Sequence, residues 1–265
     1  MRGTIVALDA AAADAGAAEK NTTRTALDAR YGTTCGEQEL LIVGAGGFAR
    51  ETAQAVAALN AVRPTWQLLG FLDDDPLTHG RRVDGLPVIG GTDLAGSLPR
   101  TRLVVCVGNP RNYFARMRIV ERLGLPPARY ATIVHPSAQI SDSSSVGPGS
   151  VILAQSVLTA SVDVGAHVAV MPHAVLTHDV MISDFATVAS GVRFGGGVKV
   201  EQGAYIGAGA LIREQVKIGA WSLVGMGSLV LGDVPPAQVW VGSPARLLRK
   251  VDGAPDAFGS ASQPS

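Results

Sequence analysis

Residues 164–199 read VGAHVA VMPHAV LTHDVM ISDFAT VASGVR FGGGVK when they are written in blocks of six. The same six-residue step runs sixteen times without a gap from Ile140 to Pro235. Its first position always holds a large apolar residue: Ile140, Val146, Ile152, Leu158, Val164, Val170, Leu176, Ile182, Val188, Phe194, Val200, Ile206, Ile212, Ile218, Val224 and Val230. Its fifth position holds only Ser, Ala or Val. Because a helix repeats every 3.6 residues, a fixed period of six instead predicts a solenoid of stacked coils.

The period also predicts the shape of each coil. The fifth position of a step and the first position of the next are two residues apart, so both side chains point to one interior face of an extended segment. Six glycines at the second position are expected to turn the corners, where a residue without Cβ tolerates unusual dihedral angles: Gly147, Gly165, Gly195, Gly207, Gly219 and Gly225. Three steps close a coil of about 18 residues, so residues 18 apart stack at roughly 4.8 Å. The period sets no handedness, and an inert β-solenoid is an alternative that it leaves open.

Composition bounds the class of protein. Of the 265 residues, 47% are hydrophobic, and 22 basic side chains balance 22 acidic ones. The chain is long enough for two domains, and the charge balance gives no electrostatic reason to expect nucleic acid or a membrane as a partner. Asp9 and Asp14 interrupt the apolar start of the chain, which argues against a secretory signal. Cys35 and Cys106 are too few for a disulfide framework or a zinc site, so we expect a cytoplasmic protein without a metal.

Before the solenoid, apolar runs alternate with helical patterns. Strands are predicted over 40–43, 66–72, 86–89 and 103–107, and helices over 48–59 and 111–123. Such alternation predicts a parallel sheet with flanking helices. The chain is therefore divided into a disordered extension over 1–37, a Rossmann-like α/β domain over 38–132, an all-β solenoid domain of hexapeptide repeats over 133–251, and a disordered tail over 252–265.

The segment Gly44-Ala45-Gly46-Gly47-Phe48-Ala49 joins the first predicted strand to the first helix. Glycines in this context permit a tight turn and bring backbone N–H groups and a helix N-terminus up to a phosphate. Asp73 ends the second strand, where a dinucleotide-binding domain has its ribose-binding acid. We predict nucleotide binding, with a plain strand–helix turn as the alternative. Since only about four strands fit before residue 130, the complete six-strand NAD-binding fold is a weaker interpretation.

The coil of 18 residues predicts a second site. His178 lies at the third position of its step, on a corner, and Asp179 follows it as a carboxylate that could orient the imidazole. Gly196 comes 18 residues later and should stack on His178. A base beside a bare backbone N–H suits acyl transfer, although a solvated corner histidine is the alternative. His167 and His173 fall at the other two corners, so they cannot share a site with His178 in one subunit.

These features together resemble the bacterial NeuD/PglD-like sugar acetyltransferases, over roughly residues 39–250. The resemblance rests on motifs in a fixed order: Val43-Gly44-Ala45-Gly46-Gly47-Phe48-Ala49-Arg50-Glu51, Gly70-Phe71-Leu72-Asp73-Asp74-Asp75, Ile133-Val134-His135-Pro136-Ser137-Ala138, His178-Asp179, Asp233-Val234-Pro235-Pro236 and Val241-Gly242-Ser243-Pro244-Ala245-Arg246. It implies a left-handed parallel β-helix that forms a homotrimer, with active sites at the subunit boundaries.

The resemblance also implies roles for individual residues. His178 matches the general base, Asp179 its orienting acid, and Gly196 the glycine whose N–H meets the thioester oxygen. Acetyl-CoA is the implied co-substrate, lying between subunits against Gly196, Ala208, Gly225, Pro244 and Arg246. The implied acceptor is a nucleotide sugar bound by the N-terminal domain through Gly44, Gly46, Gly47, Phe48, Asp73 and Asp74, with Met171 as a further contact.

Three positions depart from the family pattern. Some relatives have a histidine where this chain has Phe48 and another where it has Thr187, and relatives often have an asparagine at the position of Met171. A polar contact has become apolar, so sugar recognition should differ. We predict N-acetylation of a nucleotide-linked amino sugar. The alternatives are O-acetylation of a free or polymer-linked sugar, and a catalytically inactive trimeric scaffold or nucleotide sensor. For an NAD-dependent oxidoreductase, the sequence offers no hydride-transfer residues.

Overall fold

The computed structural model describes residues 38–252, and the predicted disordered extension over 1–37 and all but the first residue of the predicted tail lie outside this range. The described chain begins with a five-stranded sheet. Its strands are β1 Gln38–Val43, β2 Trp66–Leu72, β3 Arg82–Val83, β4 Leu86–Gly90 and β5 Arg102–Val105. Their order is β3-β4-β2-β1-β5, and all pairs are parallel except the β3–β4 hairpin. The predicted α/β domain with a parallel sheet is thus confirmed.

Two helices cover the two faces of this sheet. Helix α1 spans Gly47–Val62 and helix α2 spans Ala115–Leu123, with short 3₁₀ helices at Pro76–Thr78, Thr92–Ser97 and Pro127–Arg129. Residues of β1 alternate between the two sides: Leu40 and Ile42 belong to one apolar cluster, Leu41 and Val43 to the other. Alternating side chains of buried strands produce this division.

Helix α2 begins later than predicted, at Ala115 and not at residue 111. The preceding residues serve tertiary packing: Tyr113 stacks on Phe114, and the Tyr113 hydroxyl donates to the carbonyl of Trp221 at 2.8 Å. Phe114 in turn packs against the Trp221 ring, 5.1 Å between centroids. These contacts with a distant part of the chain outweigh the local helical pattern.

From Ile133 onward the chain forms a left-handed parallel β-helix with three faces. Face 1 contains β7 Gln139–Ile140, β10 Val157–Leu158, β13 Val175–Leu176, β16 Arg193–Phe194, β19 Leu211–Ile212 and β22 Leu229–Val230. Face 2 contains β8 Ser145–Val146, β11 Asp163–Val164, β14 Met181–Ile182, β17 Lys199–Val200 and β20 Lys217–Ile218. Face 3 contains β6 Ile133–Val134, β9 Val151–Ile152, β12 Ala169–Val170, β15 Thr187–Val188, β18 Tyr205–Ile206, β21 Leu223–Val224, β23 Gln238–Gly242 and the antiparallel β24 Ala245–Lys250.

The predicted coil of 18 residues is confirmed by the strand register, since Val157 pairs with Val175 and Leu158 with Leu176. The predicted interior is confirmed as well. Most residues at the first and fifth positions of the steps, such as Val188 and Val192, are buried in one continuous apolar cluster, and in the first steps Ile140 and Val146 are half-buried against it.

The second-position glycines lie at the corners as predicted, but the prediction that they adopt unusual dihedral angles there is wrong. The left-handed backbone conformation lies at the fourth position of the step, which has φ of 55° in His167 and 61° in Asp179. The second-position glycines are required by close packing of coils instead. A Cβ on Gly195 would lie 2.5 Å from the backbone nitrogen of Glu214, and one on Gly219 would lie 2.4 Å from that of Pro236.

The α/β domain packs on face 3. Leu40, Phe48 and Val56 share an apolar cluster with Val151 and Ala169 of that face. The corner between faces 1 and 2 is therefore the edge of the prism opposite the α/β domain. We propose a domain boundary between residues 132 and 133, as predicted from the sequence, because β6 begins at Ile133. Within residues 38–252 no helix is both long and apolar enough to span a membrane.

Candidate active site

The candidate site lies on the corner between faces 1 and 2. His178 follows β13, and Gly196 follows β16 directly above it, as the coil arithmetic predicts. A Cβ on Gly196 would lie 2.3 Å from Cε1 and 2.4 Å from Nε2 of His178. Because no side chain fits between them, glycine at position 196 allows the imidazole to rest against the backbone of the next coil.

Asp179 holds the imidazole from the other side. Its Oδ2 lies 2.8 Å from Nδ1 of His178. A carboxylate can only accept, so Nδ1 carries the hydrogen in this bond and Nε2 of the neutral ring is left with a free lone pair. The two side chains are 68% and 65% exposed in the single chain, so Nε2 is accessible to a reactant.

The backbone above His178 offers a hydrogen-bond donor. Gly195 N donates to Ile212 O and Gly197 N donates to His178 O, whereas the Gly196 N–H has no acceptor within residues 38–252. At the same position of another corner, Ala166 N donates to Oδ1 of Asp184 at 2.7 Å. Corner amides of this type can therefore bond an anionic oxygen, which is the property that an oxyanion site needs.

An open cleft of about 640 Å³ surrounds these groups. It is lined by His178, Asp179, Gly196, Gly197, Lys199, Glu214, Gln215 and Lys217. Lys217 forms an ion pair of 2.6 Å with Glu201. Within residues 38–252, no cluster of three or more His, Cys, Asp or Glu side chains is arranged to hold a metal ion.

The other two solenoid histidines lie on the other two corners, as predicted. His173 follows β12, between faces 3 and 1. His167 follows β11, and it is buried between Tyr130 and Phe185 with ring centroids 4.5 and 5.2 Å away. Burial, together with the charge of Arg116, lowers the pKa of His167 to about 4.

A second cleft, of about 360 Å³, lies at the carboxyl edge of the α/β sheet. Five of the predicted acceptor-binding residues line it: Gly44, Gly46, Gly47, Phe48 and Asp73. Asp73 also orders the loop, since its Oδ2 accepts from Ala45 N at 2.9 Å. The segment after β5, residues 106–110, forms the remaining wall. This wall was not predicted from the sequence, although clefts form at the carboxyl ends of adjacent parallel strands.

Asp74 lies outside this cleft. Its Oδ1 accepts from the backbone N–H of Thr92 at 3.0 Å and from the Thr92 hydroxyl at 2.7 Å, and its Oδ2 pairs with Arg122. Burial alone would raise the pKa of Asp74, but the bonds from Thr92 and Arg122 outweigh burial and lower it. The carboxylate is thus engaged in holding β2 against the Thr92–Ser97 helix.

The predicted cofactor residues lie at two corners of the β-helix and at the β23–β24 hairpin. Gly196 lies with His178, whereas Ala208 and Gly225 follow β18 and β21 at the corner between faces 3 and 1. Pro244 and Arg246 lie farther along, at the β23–β24 hairpin. Met171 is at the same corner as Ala208, and it packs against the core of the α/β domain and not against His178. One chain therefore does not bring all predicted residues into a single site.

The matches to a family model, to a curated protein and to solved structures agree on one family. Residues 39–123 match the family model described as the PglD N-terminal domain. A curated relative, UDP-N-acetylbacillosamine N-acetyltransferase of Bacillus subtilis (strain 168), is 34% identical over 119 residues, which are 44% of this chain and 52% of that protein. This chain thus matches about half the length of that relative.

Solved structures extend the match to about four fifths of the chain. The acetyltransferase domain of PglB from Neisseria gonorrhoeae FA1090, in complex with acetyl coenzyme A, is 30% identical with a TM-score of 0.70, covering 80% of this chain and 100% of that one. A mutant of perosamine N-acetyltransferase from Caulobacter crescentus, in complex with CoA and GDP-perosamine, is 26% identical with a TM-score of 0.71, covering 79% and 96%.

Proposed function

Because the chain belongs to the PglD-like sugar acetyltransferase family, we propose that it transfers the acetyl group of acetyl-CoA to the amine of a nucleotide-linked amino sugar. The observation that carries this proposal is the contact of His178 with Gly196, because it sets a base beside an unengaged backbone N–H. The relatives support the chemistry, since one is described with acetyl coenzyme A and another with CoA and GDP-perosamine.

The reaction we propose is a direct transfer. The neutral amine of the sugar attacks the thioester carbonyl carbon while Nε2 of His178 takes one amine proton. Asp179 keeps the proton of Nδ1 in place and stabilises the imidazolium that forms. The Gly196 N–H donates to the oxygen of the tetrahedral intermediate. As the intermediate collapses, the C–S bond breaks and the thiolate of CoA leaves, receiving the proton from His178.

Completion of the site requires a second copy of the chain. The acceptor cleft belongs to the α/β domain on face 3, whereas His178 lies at the opposite corner, so the two cannot meet within one chain. A neighbouring copy would present its corner with Ala208 and Gly225 to the corner of His178. Such a contact joins two different corners, and we propose that it repeats around a three-fold axis parallel to the β-helix, which closes the smallest ring of this kind, a trimer.

The outward residues of face 1 support this assembly. Four of its six outward positions are apolar, namely Val157, Val175, Leu211 and Leu229, and the other two are Gln139 and Arg193; Leu211 is 44% exposed in the single chain. The five equivalent positions of face 2 hold one apolar residue, Met181, beside Ser145, Asp163, Lys199 and Lys217. A mainly apolar face flanked by the two contacting corners is suited to burial around a three-fold axis. A cytoplasmic location stays a prediction from the two cysteines.

Acetyl transfer to defined acceptors tests the proposal. Purified protein is incubated with acetyl-CoA and GDP-perosamine, a UDP-linked amino sugar, or the matching sugars without a nucleotide, and the release of CoA thiol is followed. We expect turnover only with nucleotide-linked amines, and loss of at least about a hundredfold in kcat for His178→Ala with the oligomer intact. Turnover of unlinked sugar hydroxyls alone, or near-normal kcat in His178→Ala, would contradict the proposal.

A further inference from the structure

Arg116 is the only Arg, Lys, Asp or Glu side chain that is buried within residues 38–252, with 2% of its surface exposed. Its Nη2 donates to the carbonyls of Phe185 and Ala186 at 2.8 and 3.0 Å and to the hydroxyl of Thr187 at 2.8 Å. Its Nη1 donates to the carbonyl of Val107 at 3.3 Å, and its Nε has no partner. All these acceptors are neutral, and no carboxylate in the described part of the chain pairs with the guanidinium.

The guanidinium lies directly behind the wall of the glycine-loop cleft. Val107 and Gly108 line that cleft, and Arg116 bonds the carbonyl of Val107. A Cβ on Gly108 would lie 3.5 Å from Cδ1 of Phe48, which also lines the cleft, and 4.0 Å from Nη1 of Arg116. A single glycine therefore separates the buried charge from the space where the glycine loop would receive a phosphate.

A buried cation without a counter-charge is expensive for the fold. Neutral carbonyls offset part of the loss of hydration, but they do not neutralise the charge. Burial lowers the pKa of Arg116 to about 10, so the side chain keeps its proton at neutral pH. Because Arg116 is buried, the protein that lies between it and the cleft screens its charge less than water would.

We propose that Arg116 is the buried counter-charge for the diphosphate of the acceptor nucleotide. It acts as a positioning residue through its electric field and makes no direct contact with the acceptor. The inference rests on the proposed function, since it assumes that a nucleotide-linked sugar occupies this cleft. In this arrangement the backbone N–H groups of the glycine loop hold the phosphate oxygens, and Arg116 favours the charged group over a neutral one of the same shape.

The proposal makes a prediction that a structural role does not share. If Arg116 only fastened the α/β domain to the β-helix, its replacement would weaken the binding of every ligand of the cleft to the same extent. If the charge of Arg116 favours the diphosphate, its removal weakens the binding of a nucleoside diphosphate much more than the binding of the corresponding nucleoside. The informative quantity is therefore the ratio of the two affinities, which cancels any general distortion of the cleft.

The experiment measures binding of UDP and uridine, and of GDP and guanosine, to the full-length protein and its variants. Arg116→Met removes the charge and keeps most of the side-chain volume, and we expect the diphosphate-to-nucleoside affinity ratio to fall by at least about tenfold. Thr187→Val is the matched control, because it removes one partner of Arg116 and no charge, and it should keep the ratio. Acetyl-CoA affinity, measured in parallel, should change in neither variant.

The outcomes separate this inference from the proposed function. Wild-type protein that binds neither UDP nor GDP would overturn the acceptor site itself and the inference with it. Wild-type preference for a diphosphate that persists in Arg116→Met would overturn the role of Arg116 alone. Should Arg116→Met fail to fold, Arg116→Gln decides: it keeps a polar group for the neutral acceptors of Arg116 but no charge, so its ratio should also fall by at least about tenfold, and a ratio unchanged from wild type would overturn the inference.

Discussion

Replacement of Gly196 by alanine tests how the catalytic corner works. The new Cβ would lie 2.3–2.4 Å from Cε1 and Nε2 of His178, whereas carbon contacts are optimal at about 3.5–4.0 Å. The imidazole must therefore move by about 1 Å or more. It is exposed, and Asp179 is its only side-chain partner among residues 38–252, so the movement costs little stability. A displacement of this size at a reacting group lowers the rate by about a hundredfold.

Gly196→Ala should thus lose about two orders of magnitude in kcat while its melting temperature stays close to that of the wild type. The assay pairs acetyl transfer with thermal unfolding and with the oligomeric state in solution. Gly232→Ala is the matched control, because Gly232 lies at the same corner two coils farther along, and a Cβ there meets no atom within 4 Å. That variant should keep wild-type kcat and stability.

Two results would refute this reasoning. Wild-type turnover in Gly196→Ala would mean that the contact between Gly196 and His178 does not position the base. An equal loss of activity in Gly232→Ala would mean that any added methyl group at this corner disturbs the enzyme, so the loss in Gly196→Ala would say nothing about His178.

Two further predictions follow from the histidines. Asp179→Asn should lower kcat by at least about tenfold with acetyl-CoA affinity unchanged, because an amide can no longer stabilise the His178 imidazolium; an unchanged kcat would remove Asp179 from the mechanism. His167, whose pKa is lowered to about 4 by burial and by Arg116, binds a proton in the unfolded chain from about pH 6.5 but in the folded chain only near pH 4. Stability should therefore fall as pH falls through this window, by about 2–3 kcal/mol for this group. His167→Phe, which keeps a ring against Phe185, should reduce that slope in urea unfolding at pH 7 and 4.5, and an unchanged slope would contradict the assignment.

The catalytic corner could be predicted from sequence because its geometry is a matter of counting. Once three six-residue steps close a coil, residues 178 and 196 must stack, whatever lies around them. The same count placed His167 and His173 at other corners. This count depends on a single strong period. The parallel strand pairs of face 1 follow that period without interruption from β7 to β22.

The corners themselves were predicted less well, for an instructive reason. Glycine is the residue expected at unusual dihedral angles, yet His167, Asp179 and Phe185 adopt the left-handed conformation without being glycine. The path of the backbone imposes this conformation at the fourth position of the steps. Glycine at the second position instead reports how closely one coil lies on the next, as at Gly195. A count of glycines at both positions would have found the pattern, since the fourth position holds as many.

Contacts between distant parts of the chain could not be predicted by periodicity. The late start of α2 depends on Trp221, more than a hundred residues away from Tyr113 along the chain. The wall of the acceptor cleft depends on β5 lying next to β1, which a single sequence does not specify. The burial of Arg116 could not be predicted from α2 alone, because the other charged residues of this helix, Arg118, Glu121 and Arg122, are all exposed.

Arg116 also links two positions where the sequence departs from the family pattern. Some relatives have a histidine at the position of Thr187, and here the Thr187 hydroxyl accepts a hydrogen bond from Arg116 at 2.8 Å. Some relatives also have a histidine at the position of Phe48, and here Gly108 alone lies between Phe48 and Arg116. A histidine at position 187 would bring a second titratable group against a buried cation, as His167 already does with a lowered pKa. A neutral hydroxyl and an apolar ring avoid that conflict. Phe48, Arg116 and Thr187 therefore form one structural cluster beside the acceptor cleft. This cluster and His178 occupy opposite sides of the chain, so we expect the recognition of the acceptor and the chemistry at His178 to vary independently.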